Sequence, residues 1–408
     1  MSRLRTATVA LSTALLVPVL PADAAPRRTV ESWPVAGDSV ITVTGNGYGH
    51  GHGMSQWGAR GAARAGLSWQ QIAEFYYPGT TWGSVRGPMR VLITADTTAD
   101  VQVLAKPGLK ARSLDRRKTW SLTKKGAKRW RIVGTRRGVS KLQLRKRAGW
   151  RTWRKFAGAA EFSSRTGKVT LVVPGGRATY RGRLRSVMPK RGSADRDTVN
   201  VLPMEAYLRG VVPREVPALW EPAAVSAQSV AARTYAAAER AHPSSLFYDL
   251  CDTASCQVYG GVDDEHPAAD AAIKATARQG LFWEGRPAFT QFSASSGGWT
   301  SAGSMPFLVA QEDPYDAAVS PYRPWTTTLD DAAIEKRWPA IGDLSSIEVI
   351  TRDGNGEWGG RVQQMALAGS TGRVTVTGDD FRVAFGLRSE WITFTVASKA
   401  TPRLDTRP

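Results

Sequence analysis

The sequence predicts an α+β fold, a helical core with mixed β-sheet plus a β-rich basic subdomain. Three observations carry this. Strand-like patterns dominate residues 88–200, helical spacing dominates residues 201–280, and strand patterns return over residues 281–396. The 408 residues are enough for two or three domains at about 150 residues each. With hydrophobic residues at 42%, the chain is able to bury a core. No apolar run reaches the roughly 18 residues a membrane span needs, which excludes a multi-span protein. Two cysteines exclude a disulfide-dense scaffold and a four-cysteine metal site.

Each element has its own signal. Arg3 and Arg5 precede the apolar run Ala7 to Leu20, and Ala22-Asp23-Ala24 is a small-x-small cleavage site, so residues 1–24 read as an export signal. The mature chain then starts near Ala25, outside the membrane, in an oxidising compartment. Residues 25–40 read as a linker. Ile41-Thr42-Val43-Thr44 is a strand, Gly45 to Gly53 a glycine-rich loop, and Met54 to Tyr77 helix-like. Met89 to Thr94 and Val169 to Val173 are strands. Pro203 suits a helix start, with Leu208, Val211 and Val212 following at helical spacing. Ala223 to Ala241 is an alanine-rich helix opened by Pro222 and stopped by Pro243. Trp391 to Val396 is a last strand, and residues 397–408 read as a loose tail. The domains this implies are a Gly/His-rich segment over 41–82, a β-rich basic subdomain over 88–195, and a core over 196–396.

The net charge of +20 is local. Residues 101–160 hold 20 Lys/Arg and one acid, Asp115, so this segment alone carries +19. Trp120, Trp130, Trp150 and Trp153 are interleaved with it, and Lys141-Leu142-Gln143-Leu144-Arg145 alternates as a strand does. Such a surface suits a polyanion. For an exported chain nucleic acid is excluded as the target. An anionic wall polymer or an anionic membrane face fits residues 106–155, against the plain alternative of a solvated face.

Pro213-Arg214-Glu215-Val216-Pro217 places a carboxylate on a stiff, proline-boxed loop flanked by apolar Val216 and Leu219. An apolar setting raises a carboxyl pKa, as a general acid at neutral pH requires. The alternative is a surface glutamate paired with Arg214. On the next helix Gln228, Ala232 and Tyr235 share one face, and Ser229 and Arg233 the adjoining one. Polar groups in so apolar a helix need partners if buried. Cys251 and Cys256 are close enough to bridge across a turn. Zinc wants four ligands, and none of the histidines (His50, His52, His242, His266) lies between the cysteines, which favours a disulfide. Gln291 to Thr300 alternates polar and apolar residues into a Gly-Gly turn whose hydroxyls and N–H groups suit sugar oxygens, although turns are rich in Ser and Gly in general. The loop Gly45 to Gly53 lacks the Lys-Ser/Thr and βαβ context of a nucleotide site. His50 and His52 alternate on one extended face and suit a metal, a sugar or nearby backbone.

Leu202 to Pro217 together with Ala227-Gln228-Ser229-Val230-Ala231-Ala232-Arg233-Thr234-Tyr235 resembles the stage II sporulation protein D and amidase-enhancer family. Cys256 to Gly261, Ser295-Ser296-Gly297-Gly298, Phe381-Arg382 with Gly386-Leu387-Arg388-Ser389, Gly49 to Ala59 and Tyr76 to Thr80 fit the same family, so the resemblance spans roughly residues 41–396. It implies an exported protein acting on peptidoglycan glycan strands. Sporulation members are lytic transglycosylases that cut strands stripped of peptide, and the implied catalytic acid matches Glu215. Gln228, Arg233, Tyr235, Ser293, Ser295, His50 and His52 are then the candidates for binding sugar and holding Glu215, and Glu205 is structural. The amidase-enhancer branch implies a second role, a wall-binding protein that stimulates a cell-wall amidase. In the family the Gly-His-Gly segment follows the Gly-Leu-Arg-Ser strand, whereas here it comes first. This order reads as a circular permutation and expects residues 41–80 to pack against residues 380–396. Some members bind zinc near the cysteine turn. Here Ser255 stands where a histidine ligand is expected, so zinc is the lesser alternative at this turn and no other cofactor is expected.

Overall fold

In the computed structural model the described residues are 31–398; the residues read as an export signal, 1–24, and the tail beyond Ser398 lie outside them. Two large sheets build the basic region. A seven-stranded sheet runs in the order 250–251, 88–92, 197–203, 183–187, 160–164, 109–113, 119–121. A six-stranded sheet runs 149–157, 139–146, 129–133, 100–104, 168–173, 176–181. Both follow from period-2 patterning: strand Val139–Lys146 alternates half-buried and buried positions over its first six residues, and Leu109–Ser113 alternates buried and exposed throughout. The inward residues Val91, Val103, Trp130, Ile132, Phe162 and Leu171 form one core.

That core continues without a break into Tyr207, Leu208, Val211, Val212 and Val225 of the helical region. The hydrophobic core therefore runs across residue 195. Asp197–Pro203 is an inner strand, paired on one side with Arg183–Val187 and on the other with Pro88–Leu92, so the basic region and the helices form one packed body.

The helices are α1 (Gln56–Arg64), α2 (Trp69–Tyr76), α3 (Met204–Leu208), α4 (Val212–Glu215), α5 (Pro222–Ala241), α6 (Pro267–Ala275) and α7 (Pro314–Val319). The stretch Met54 to Tyr77 is two helices rather than one. Gly66 adopts a left-handed φ of +89°, and Ser68 caps α2 with a full capping box. The alanines of α5 let α1, α2 and α6 pack closely, and fourteen of its twenty residues, from Ala224 to Ala238, are buried. No helix among the described residues is long and apolar enough to cross a membrane.

Residues 31–40 are not linker. Glu31–Pro34 is an edge strand on Leu344–Arg352, fixed by Trp33 against Phe394 at 5.2 Å and by the Arg352 ion pair to Glu31 at 2.7 Å. Strand Ser39–Gly45 lies between Trp325–Asp330 and Ile392–Ser398, antiparallel to both, with Val43 opposite Phe394. Gly49 N–H donates to the Arg388 carbonyl at 2.8 Å, and Ser389 Oγ donates to the Asn46 carbonyl at 2.6 Å. The glycine-rich loop is thereby anchored on the Gly-Leu-Arg-Ser segment some 340 residues away in sequence.

Candidate active site

Glu215 ends the single helical turn α4, so its loop is shorter and stiffer than a bare proline-boxed bend. Its N–H donates to the Val211 carbonyl at 3.2 Å, and Val212 and Val216 on either side are buried. The carboxylate lies on the wall of a groove of about 430 Å³. Tyr48, Gln56, Tyr235, Val258, Phe292 and Ser293 also line it, and Glu215 is the only carboxylate among the lining residues. Gln56 Nε2 donates to Glu215 Oε2 at 3.5 Å, and the Val258 backbone adds a hydrogen bond. Burial nonetheless dominates and pushes the Glu215 carboxyl up to about 7, against the opposing pull of Gln56, Arg214 and Val258. Arg214 turns away to Asp264 at 3.4 Å, so the reading of Glu215 as one half of a surface pair with Arg214 does not hold. Leu219 gives no shelter to the carboxyl, being 82% exposed; the apolar wall is Val258, Phe292 and Ala294.

Two distant segments meet to make this groove. Met54–Ser55 pairs in parallel with Phe292–Ser293, and Trp57 N–H donates to the Ala294 carbonyl at 3.0 Å. This pairing carries Gln56 to Glu215. Gly49 passes so close to Ser293 that a Cβ there would sit 2.8 Å from the serine Cβ, and its φ is +101°. The third wall is the loop after Cys251. The Cys251–Cys256 disulfide closes it, and Tyr207 Oη donates to Gln257 Oε1 at 2.9 Å beneath it. The two sulfurs are bonded to each other, so this turn does not fit a zinc ion. Among the described residues no group of three or more His, Cys, Asp or Glu is placed to hold a metal.

Of the residues singled out for sugar binding, Tyr235, Ser293 and His50 line the groove. Ser293 Oγ has no hydrogen-bond partner among the described residues. His52 lines an adjoining hollow of about 480 Å³ that shares His50 with the groove. The two rings stack at 4.9 Å, and His52 N–H donates to His50 Nδ1 at 2.9 Å. Burial lowers the His50 pKa to about 4, with His52, Arg361 and Arg382 adding to the effect, so its ring is neutral at pH 7.

Three candidates are elsewhere. Arg233 is fully buried, and its guanidinium donates to both Glu205 carboxylate oxygens (3.1 and 2.8 Å) and to the Gln279 carbonyl (3.1 Å). It ties α5 to α3, and no donor is left for a ligand. Ser295 is fully buried and donates to Asp316 at 2.9 Å; its backbone pairs with Tyr48, so it fixes the groove wall from behind. Gln228 is fully buried off the groove wall, and neither amide atom has a partner among the described residues. The Ser-Ser-Gly-Gly turn, read as a sugar cradle, is instead held by a buried acid pair. Ser296 Oγ donates to Asp313 at 2.8 Å, Gly297 N–H donates to Asp316 at 3.0 Å, and Tyr76 Oη donates to Asp313 at 2.9 Å. Burial, and for Asp313 the neighbouring Asp316 charge, raise both carboxyls.

The comparisons with known proteins fall on this geometry. Residues 193–283 match the family model described as Stage II sporulation protein. This span is similar to the Stage II sporulation protein domain and takes in under a quarter of the chain. It holds Glu215, α5 and the disulfide loop, whereas Tyr48, Gln56, Phe292 and Ser293 lie outside the matched span. Stage II sporulation protein D of Bacillus subtilis is 29% identical over 266 residues, covering 58% of this chain and 74% of that protein. The Amidase enhancer of the same organism is 33% identical over 136 residues, and an uncharacterized protein of Brachyspira hyodysenteriae is 36% identical over 138 residues. Each of the latter two matches covers 32% of this chain. They span 18% of the Amidase enhancer and 37% of the Brachyspira protein.

Sequence reasoning missed Gln56, Tyr48 and the Asp313–Asp316 pair. Gln56 lies within the segment Gly49 to Ala59, and only the pairing of Ser55 with Ser293 brings it to Glu215.

Proposed function

We propose that the protein is an exported peptidoglycan lytic transglycosylase that cleaves the bond from N-acetylmuramic acid to N-acetylglucosamine and leaves a 1,6-anhydro end. The observation that carries this reading is Glu215, the lone carboxyl in its groove, protonated to near neutrality by burial. The protonated carboxyl gives its proton to the glycosidic oxygen as that bond breaks, and an oxocarbenium-like state develops at the muramic carbon. The ionised carboxylate then takes the proton of that sugar's C6 hydroxyl, whose oxygen closes the anhydro ring. Glu215 is restored and no water is consumed. A glycoside hydrolase would need a second carboxylate about 5–9.5 Å away, and among the described residues no other acid lines the groove. Ser293 Oγ, Tyr235 and the neutral His50 are the groups available to orient the sugar.

The test is mass spectrometry of glycan fragments after incubation with wild type and Glu215→Gln. Anhydro-muramic ends should form with the wild type only; equal product from a folded Glu215→Gln protein contradicts the assignment.

The similarity to a protein named Amidase enhancer supports a second reading, a non-catalytic wall-binding protein that stimulates a cell-wall amidase. Binding to sacculi without anhydro product would favour it. In either case we propose that the basic strands attach the protein to anionic wall polymer. Residues 106–155 share the core with the helices, so neutralising exposed cations is the proper test and deletion is not.

A further inference from the structure

Outside the groove, aromatic rings continue along the surface. Tyr48, on the groove wall, meets Tyr322 edge-on at 5.1 Å. Tyr322 meets Trp57 at 6.4 Å, and Trp57 meets Trp220 at 4.9 Å. The strip grows from the elements that hold the acid, since Trp57 follows Gln56 and Trp220 lies five residues beyond Glu215. It is not core. Tyr48 is 44% exposed, the other three rings are half-buried, and Leu219 beside Trp220 is almost fully exposed. Two guanidiniums attend it. Arg60 lies between Trp57 and Trp220 at 5.1 and 4.9 Å, held by Glu221 at 3.2 Å. Arg388 lies over Tyr322 at 5.0 Å, is exposed, and has no carboxylate partner among the described residues.

We infer that the strip Trp220–Trp57–Tyr322–Tyr48 is a saccharide platform that holds the glycan strand where it leaves the Glu215 groove, which makes the ligand a strand of several sugars rather than a disaccharide. This rests on the glycan reading above. A pyranose ring has an apolar C–H face that covers an aromatic ring and a hydroxyl rim that needs donors and acceptors. Aromatic side chains with one wet edge, set beside a free guanidinium, meet both needs. A clasp serving only to hold α1 against residues 215–221 would need Trp57, Trp220, Arg60 and Glu221. It leaves unexplained the exposed Tyr48, the half-buried Tyr322 and Arg388, which has no carboxylate partner among the described residues, that join the clasp to the groove. Binding at a second surface on the same strand raises affinity through effective concentration, so the platform acts only on strands long enough to reach it.

The experiment uses Glu215→Gln protein, which binds without cutting, and fluorescent peptide-free glycan strands fractionated by length. Affinity should rise with length beyond the disaccharide. Adding Trp220→Ala and Tyr322→Ala should cost about tenfold on long strands and little on the disaccharide. Arg388→Gln, an exposed change, should weaken long strands a few-fold, and Tyr322→Phe, which keeps the ring, should restore most of the affinity. Length-dependent binding that survives in both the alanine and Arg388→Gln variants overturns the platform alone. Failure of the parent protein to bind any strand overturns the glycan reading and the platform with it.

Discussion

At the edge of the six-stranded sheet Arg151, Arg154 and Lys155 stand in solvent on strand Gly149–Ala157, with Arg154 stacked on Trp153 at 4.6 Å. In the groove one carboxyl, Glu215, is shielded by the loop through Val258 and by Phe292. The sheet gathers many charges, each hydrated and screened, so its attraction is broad, additive and weakened by salt. The groove withdraws a single charge from water, and that withdrawal changes its protonation state at neutral pH. The first arrangement suits holding a protein near a polyanion; the second suits moving a proton. Composition reveals the sheet, whereas only the folded chain reveals the groove.

The largest break in this comparison comes from Glu215→Gln. Losing a general acid–base group should lower the rate of anhydro-end formation by at least about 10²–10⁴-fold with strand binding kept. Arg233→Ala leaves Glu205 without its buried partner and should destabilise the fold by about 3 kcal/mol, read as a lowered unfolding midpoint in urea.

The pH dependence follows from the sign of the Glu215 shift. The folded pKa of about 7 lies above the ordinary 4.5, so the group favours the folded state fully below about pH 4.5, and that contribution is lost as pH rises through about 7. Cleavage should fall roughly tenfold per unit above pH 7, measured as initial rate on soluble strands. Glu215→Gln should gain stability over wild type at pH 8, by roughly 2–3 kcal/mol in denaturant melts.

On the sheet, replacing Arg151, Arg154 and Lys155 with glutamine should weaken attachment to sacculi several-fold at low salt. The difference should close at about 1 M salt, where the screening length is about 3 Å. The smallest effect sharpens the groove side. Gln56→Ala removes a long hydrogen bond that favours ionised Glu215, so the alkaline limb of the rate profile should move upward by a fraction of a pH unit.

Much of the architecture was legible because it is periodic. Leu109–Ser113, Val139–Lys146 and the alanine-rich α5 show their faces in the sequence itself. Glu215 was legible through its two prolines. The strand Glu31–Pro34 was not, because four residues with one proline carry too little pattern against a polar neighbourhood. Polar residues on a helix were the least legible. Gln228, Arg233 and Tyr235 look alike as candidates on α5, yet only Tyr235 reaches the groove. What separates them is Glu205 on α3, which captures Arg233, and no local rule states which way α3 will pack. Gln56 waited on a pairing between segments more than 230 residues apart.

The central claim is that burial in the groove keeps Glu215 protonated near neutrality. A carbon-13 NMR titration of its carboxyl, assigned by comparison with Glu215→Gln, tests this without any substrate. A midpoint near 7 is the predicted result; a midpoint near the ordinary 4.5 would contradict the account.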